Sequence, residues 1–195
     1  RSARATLHMV LLAAFEALLA RYSGQHEFAI GTPVAGRDHA DLEHVFGMFV
    51  NMLPMRADAS GEPEFVDLVD RVKRTALSSY ARQDIPFDRI VAEINPPREP
   101  SRNPLFQVAF ALQNTPPTAL ALPGVESRPI HRHSDTTKFD LGLSLVEAGG
   151  ELHGWFNYSA DLFDQATIER IAGHFRNLID GILAMQKPDG TWANY

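Results

Sequence analysis

Two apolar periods alternate along this chain, and a single layer of structure cannot bury both. Leu7, Val10, Leu11, Ala14, Phe15, Leu18, Leu19 and Tyr22 recur at helical spacing, as do Phe65, Leu68, Val69, Val72, Ala76 and Tyr80. Ile168, Ile171, Ala172, Phe175, Leu178, Ile179, Ile182 and Leu183 form a third stripe of this kind. Phe106, Val108, Phe110 and Leu112 alternate instead with period two, as do Phe139, Leu141, Leu143 and Leu145. An amphipathic helix needs an apolar surface to lie on, and a half-apolar sheet needs something to cover it. The fold class this implies is α/β, a two-layer mixed sheet with helices.

The finer reading follows from breakers and caps. A helix is predicted from about Thr6 to Tyr22, stopped by Ser23-Gly24. A short strand follows from His26 to Val34, then a polar, His-rich loop from Ala35 to about Val45. Phe46 to Arg56 is apolar almost throughout, which suits a strand buried on both faces. Pro86 starts a short helix carrying Phe87, Ile90, Val91 and Ile94. Asn95 to Pro104 holds four prolines and reads as an extended loop. Val125 to His131 is a weaker strand, and Gly149-Gly150 turns a hairpin into Leu152 to Tyr158. Asp164 is placed to cap the last helix.

Composition removes several classes of function. The 195 residues carry 18 Lys plus Arg against 24 Asp plus Glu, a net charge of -6, with no basic block for nucleic acid. The longest apolar stretch, between His8 and Glu16, is far short of the ~20 residues of a membrane span. There is no cysteine, so disulfides, thiolate metal sites and cysteine nucleophiles are excluded. That fits a reducing compartment, and the expected location is cytoplasmic. Arg1-Ser2-Ala3-Arg4 leads straight into a helical pattern with no secretory cleavage site, as if the chain began inside structure.

A self-sufficient active site does not emerge. Gly31-Thr32-Pro33-Val34-Ala35-Gly36 has the glycines of a phosphate loop, but Pro33 removes an amide donor and no Lys-Ser/Thr follows. Ser144 falls in mid-strand, where a nucleophile elbow cannot form, and reads as a sheet-face serine. His131, His133 and Asp135 could offer zinc ligands but lack a matched third partner, so no metal site is expected. His39, Asp41, Glu43 and His44 read as a solvated loop. His8 and His174 read as histidines bordering helix stripes.

Three segments are too specific for plain packing. Gly47-Met48-Phe49-Val50-Asn51-Met52, followed by Arg56, buries an amide that must find partners, because an unpaired one costs about 1–3 kcal/mol. Arg82-Gln83-Asp84-Ile85-Pro86-Phe87-Asp88 is a rigid corner between helices. Arg98-Glu99-Pro100-Ser101-Arg102-Asn103-Pro104-Leu105 leads into a strand. In this order they resemble the last three signature motifs of the condensation domains of nonribosomal peptide synthetases. The flanks Thr6–Gly24, Phe106–Asn114, Lys138-Phe139-Asp140-Leu141 and Asp161-Leu162-Phe163 agree, so the likeness covers about Thr6 to Ala184. Arg82 stands where the family usually has His, Met52 where it has Thr, and Asp88 where it has Glu.

The resemblance implies a chloramphenicol-acetyltransferase-like lobe and amide-bond formation between two carrier-bound substrates, in antibiotic and other secondary metabolism. The family's complete domain is a V of two lobes with a tunnel between them. Its catalytic His-His-x-x-x-Asp-Gly motif lies in the N-terminal lobe, and this chain holds no His-His pair. The expectation is therefore a C-terminal lobe over residues 1–187 with a tail at 188–195, inactive alone, with no catalytic residue of its own. Asn51, Arg56, Asp84, Phe87, Arg102, Asn103 and Ser144 are the residues expected to line the tunnel or carry the motifs. The Ala35–Gly47 loop and the Thr115–Asp135 segment are expected to reach toward the other lobe. The plain structural role for Asn51, Arg56, Asp84 and Arg102 is that of buried polar pairs holding corners. No cofactor is expected to bind directly; substrates would arrive on the phosphopantetheine of carrier proteins. Expected partners are the N-terminal lobe and the donor and acceptor carrier proteins, with no nucleic acid and no membrane. Two other readings are a non-catalytic module that docks a carrier through Arg37, Arg98, Arg102, Arg128 and Arg132, and a fragment of a related coenzyme A-dependent acyltransferase.

Overall fold

A computed structural model describes residues 5–37, 39–42, 44–113 and 136–184. Helix α1 (Leu7–Ser23) starts where Thr6 accepts a hydrogen bond from the Met9 amide, and ends at Gly24 in the left-handed conformation. Strand β1 (Glu27–Val34) is followed by a long loop and β2 (Asn51–Asp58). Then come α2 (Phe65–Tyr80) and α3 (Phe87–Ile94). Strands β3 (Val108–Gln113), β4 (Leu141–Ala148) and β5 (Glu151–Tyr158) precede α4 (Gln165–Ala184). The Thr167 amide donates to the Asp164 carboxylate at 2.6 Å, the cap expected at the start of α4.

The five strands form one mixed sheet in the order β2-β1-β3-β4-β5. The inner pairs β1–β3 and β3–β4 are parallel; β1–β2 and β4–β5 are antiparallel. Helices α1, α2 and α4 lie together on one face, with α1 in the middle, α2 reaching β2 and α4 reaching β5. Between the layers sit Leu11, Leu12 and Phe15 of α1, Leu68 and Val72 of α2, Ile171 and Phe175 of α4, and Ile30, Leu53, Met55, Phe110, Leu141, Leu143 and Leu145 of the sheet. Phe15 is the hub, with ring centroids of Phe110, Phe156 and Phe175 at 5.8, 6.5 and 6.2 Å. This is the two-layer α/β lobe expected from the two apolar periods.

One expectation needs correction. Phe46 to Val50 is not strand, and nothing buries it on two faces: Phe46, Met48 and Val50 are 103%, 89% and 56% exposed. Pairing begins only at Asn51, and β2 is an edge strand whose Leu53, Met55 and Ala57 alternate inward. The reason is local: the Arg37 side chain takes the carbonyls of Val45 and Gly47 that a strand would have used. The expected strand at 125–131, the rest of the 115–135 segment with its histidines at 131 and 133, Arg128 and Arg132, and the tail at 188–195 lie outside the described residues.

Candidate functional site

The first two motifs are one structure. Asn51, at the start of β2, donates from Nδ2 to the carbonyls of Gln83 at 3.0 Å and Ile85 at 2.7 Å. Its Oδ1 accepts from the amide of Phe87 at 3.1 Å, the first residue of α3, and from the amide of Met52 at 3.0 Å. Pro86 has no side-chain oxygen and cannot cap α3, so an amide side chain from the neighbouring strand does it instead. This satisfies the partner requirement placed on Asn51. The other expected buried pairs do not form. Arg56 is exposed and pairs with Glu27 across the β1–β2 ladder at 2.9 Å. Arg102 is exposed and reaches Glu99 at 3.5 Å, and Asp84 is exposed. Edge strands and loop tips leave these side chains in water. Arg82 bonds within its own segment, to the carbonyl and hydroxyl of Ser78.

The third motif anchors the loop that precedes β3. Asn103 donates from Nδ2 to the Lys138 carbonyl at 2.5 Å, and Gln107 donates to the Asn103 carbonyl at 2.9 Å. Leu105 is held at φ +69°, with the Phe106 amide bonded back to the Pro104 carbonyl at 2.9 Å. A left-handed leucine in so tight a turn stores strain. The turn places the buried Phe106 ring against Gly31, with Phe87 and Phe139 rings at 5.2 and 5.7 Å. All three motifs thus meet around one aromatic cluster on the sheet face away from the large helices.

The middle of that face, on the three inner strands, is built from small residues. The register aligns Pro54, Gly31, Ala109, Gly142 and Asn157 in one row across all five strands. Ala111, Ser144 and Trp155 make the next row, and Pro33 pairs with Met52. A cleft of about 350 Å³ opens there, lined among others by Met52, Ala111, Ser144 and Asn157. Ser144 stands in mid-strand and half-buried, as expected of a sheet-face serine. A second hollow of about 700 Å³ lies between α3 and the proline loop, beside Asp88, Arg98, Arg102 and Asn103. Ser144 and Arg102 therefore belong to separate hollows. The sequence marks Met52 only as a departure within its motif and does not single out Asn157 or the Gly31–Phe106 contact; the strand parity that holds Leu143 inward could have placed Asn157 on this face.

Apart from Arg56, whose bond to the Glu27 carboxylate raises its pKa further, the titratable groups with displaced equilibria lie elsewhere. Glu16 of α1 is 1% exposed, its Oε2 has no partner, and burial, helped by the Asp58 charge, pushes its pKa up to about 8. Burial also lowers the pKa of His8, whose Nδ1 lies 3.3 Å from the Tyr80 hydroxyl. His174 meets the Tyr22 hydroxyl at 2.7 Å in an exposed contact between α1 and α4. His39 and Asp41 are solvated. Among the described residues no three His, Asp or Glu side chains converge as metal ligands, and no helix is long and apolar enough to cross a membrane.

Comparison with known proteins agrees with this geometry. The family model described as Condensation domain matches residues 1–193. A linear gramicidin synthase of Brevibacillus parabrevis is 48% identical over 184 residues, 93% of this chain and 2% of that protein. Bacitracin synthase 3 of Bacillus licheniformis is 42% identical over 175 residues, 90% of this chain and 3% of that protein. The chain therefore spans only a few per cent of the length of these curated relatives. The crystal structure of the X-domain from teicoplanin biosynthesis superposes with a TM-score of 0.87 at 27% identity, over 98% of this chain and 44% of that one.

Proposed function

The chain belongs to the condensation-domain family of nonribosomal peptide synthetases, and on that premise we propose that it supplies the C-terminal half of such a domain. In this reading the bare sheet face and its cleft form one wall of the tunnel in which the acceptor amine attacks the donor thioester. The C–N bond forms as the C–S bond breaks, the amine proton leaves, and the pantetheine thiol departs with a proton, with no acyl-enzyme. Both substrates arrive on the phosphopantetheine arms of carrier proteins, and the reaction runs in the cytoplasm. The other half of the domain supplies the catalytic His-His-x-x-x-Asp-Gly motif, and the loop at 35–47 reaches toward it.

The observation that carries this reading is the pair Ala109 and Gly142 with Ala111 and Ser144 beside it, all lining the open cleft. A sheet filled on one face and kept small on the other leaves room for something that is not its own side chain. In this reading Asn51, Phe87 and Asn103 hold the corners that frame this face, Arg56 braces its edge strand, and Asp84 and Arg102 stand in solvent beside it; none of them touches the reacting atoms. The chain alone, given donor- and acceptor-loaded carriers, is expected to yield no dipeptidyl product, and the same carriers with the complete domain are expected to yield it. Turnover by the chain alone at the rate of a complete domain would overturn the reading. Saturable NMR shifts on carrier titration without product would favour the docking module instead.

A further inference from the structure

Among the described residues three glycines stand inside strands: Gly31 on β1, Gly142 on β4 and Gly154 on β5. Glycine weakens a strand, so each position asks for a reason, and the usual one is the close approach of a neighbouring group or a ligand. For two of them the fold itself supplies it. A Cβ on Gly31 would enter the Phe106 ring, and one on Gly154 would lie 2.4 Å from Leu145 Cδ2 and 3.3 Å from the Ser144 carbonyl oxygen. Gly142 has no such neighbour. Its φ lies outside the left-handed region, and a Cβ there would meet only Asn157, at ordinary contact distance. What Gly142 leaves free is the floor of the cleft of about 350 Å³. That floor is largely apolar, with Pro33, Met52, Ala109 and Ala111, and it runs across the strands from β2 to β5. Ser144 and Asn157 border it, and among the described residues neither side chain has a hydrogen-bond partner.

We propose that Gly142 is a specificity-determining residue for condensation: the clearance above it admits the side chain of a carrier-bound aminoacyl group, and bulk at position 142 selects against bulk in the substrate. The inference rests on the condensation-domain reading above and narrows it from a wall to one position. A hollow that spans several strands is broad for a thin pantetheine arm, and its apolar floor suits an apolar side chain. Gly142 takes no part in the chemistry. It acts by the space it leaves, and one methyl group more or less in such a contact changes selectivity by about 10- to 200-fold.

The test uses the complete domain containing this chain, with carriers loaded with glycyl, alanyl, leucyl or phenylalanyl groups. One arm varies the acceptor against a fixed donor, and the other varies the donor against a fixed acceptor. The readout is kcat/KM for wild type, Gly142→Ala and Gly142→Val, with melting temperatures measured alongside. In at least one arm the loss is expected to grow with the substrate's side chain. The ratio of rates between the smallest and the largest group that wild type accepts should rise at least about 10-fold in Gly142→Ala and further in Gly142→Val. The arm that responds identifies whose side chain lies over Gly142. A smaller rise in both arms of Gly142→Ala overturns the proposal; if every substrate slows alike at an unchanged melting temperature, the pantetheine arm they share lies there instead. A wild-type domain that makes no amide product from any of these carriers overturns the underlying reading and the proposal with it, and the wild-type control alone identifies that outcome.

Discussion

The two faces of this sheet come from the same five strands, yet one is packed with large side chains while the middle of the other, on the three inner strands, is pared down to glycine, alanine, proline and serine. On β4 the contrast falls between neighbours: Leu141, Leu143 and Leu145 are buried under the helices, while Gly142 and Ser144 line an open cleft. The period of two gives each strand both faces at once. The filled face explains why the chain folds. Folding explains Gly31, which makes room for the buried Phe106 ring, but not Ala109, Ala111, Gly142 and Ser144, because a soluble sheet face could carry large polar residues at no cost.

The largest effect should come from emptying the filled face. Phe110 is fully buried, tilted against Phe15 and edge-on to His8. Phe110→Ala is expected to cost about 3–5 kcal/mol in urea unfolding, the usual range for a buried phenylalanine. A loss below about 1 kcal/mol would mean the helices do not close on the sheet as described.

Among the described residues Glu16 is the one acid inside that face, and it makes the filled side sensitive to pH. Its folded pKa of about 8 lies above its ordinary 4.5, so the folded state holds the proton more tightly than the unfolded chain. Stability from this group is complete below about pH 4.5 and falls as pH rises through 8, by up to about 1.4 kcal/mol per pH unit for one proton. Asp58 works in the opposite sense and in a lower window. Bonds from Ser60, with Arg71 nearby, lower its pKa, so its contribution is lost only in acid, below its ordinary 3.8. Glu16→Gln should flatten the fall between pH 5 and 8; an unchanged slope would place the titrating group elsewhere.

Asn51 stands where the sheet edge meets the α3 corner. Removing its side chain leaves the Phe87 amide and the carbonyls of Gln83 and Ile85 without it, and Asn51→Ala should cost about 1–3 kcal/mol. Amide exchange at Phe87 should quicken first. Protection at Phe87 equal to wild type would remove Asn51 from the corner.

The filled face was legible in the sequence because burial imposes a period. Phe15, Phe110 and Leu143 stand on stripes that nothing but a core explains, and Thr6, Gly24 and Asp164 mark ends by cap chemistry alone. The motifs pointed to the family, and Asn51 to a need for partners. The error at Phe46–Val50 has the same root. An apolar run says that burial is available, not that the chain takes it, and the residue that diverts the run into a loop, Arg37, lies nine positions before Phe46. The Gly31–Phe106 contact was hidden for a similar reason: it joins residues far apart in the chain through a left-handed turn at Leu105 that no local pattern announces.

Two glycines on the pared face carry the comparison to its smallest scale. Gly31 and Gly142 flank Ala109 in one row of the sheet. A Cβ on Gly31 would lie 2.1 Å from Phe106 Cε2, inside a ring that is buried and held between Phe87 and Phe139. Gly31→Ala should therefore cost about 1–3 kcal/mol, as overpacking does. A Cβ on Gly142 meets only Asn157, at 3.8 Å from its carbonyl oxygen and 4.0 Å from its Cβ, both ordinary contacts. Gly142→Ala should leave the unfolding midpoint where it is, or raise it slightly by restricting the unfolded chain. Its effect should appear instead in condensation by the complete domain, where a methyl group enters the cleft beside Ser144. Equal destabilisation by the two substitutions would mean that the pared face is covered along its whole length, and that the cleft at Ser144 is not open to a substrate.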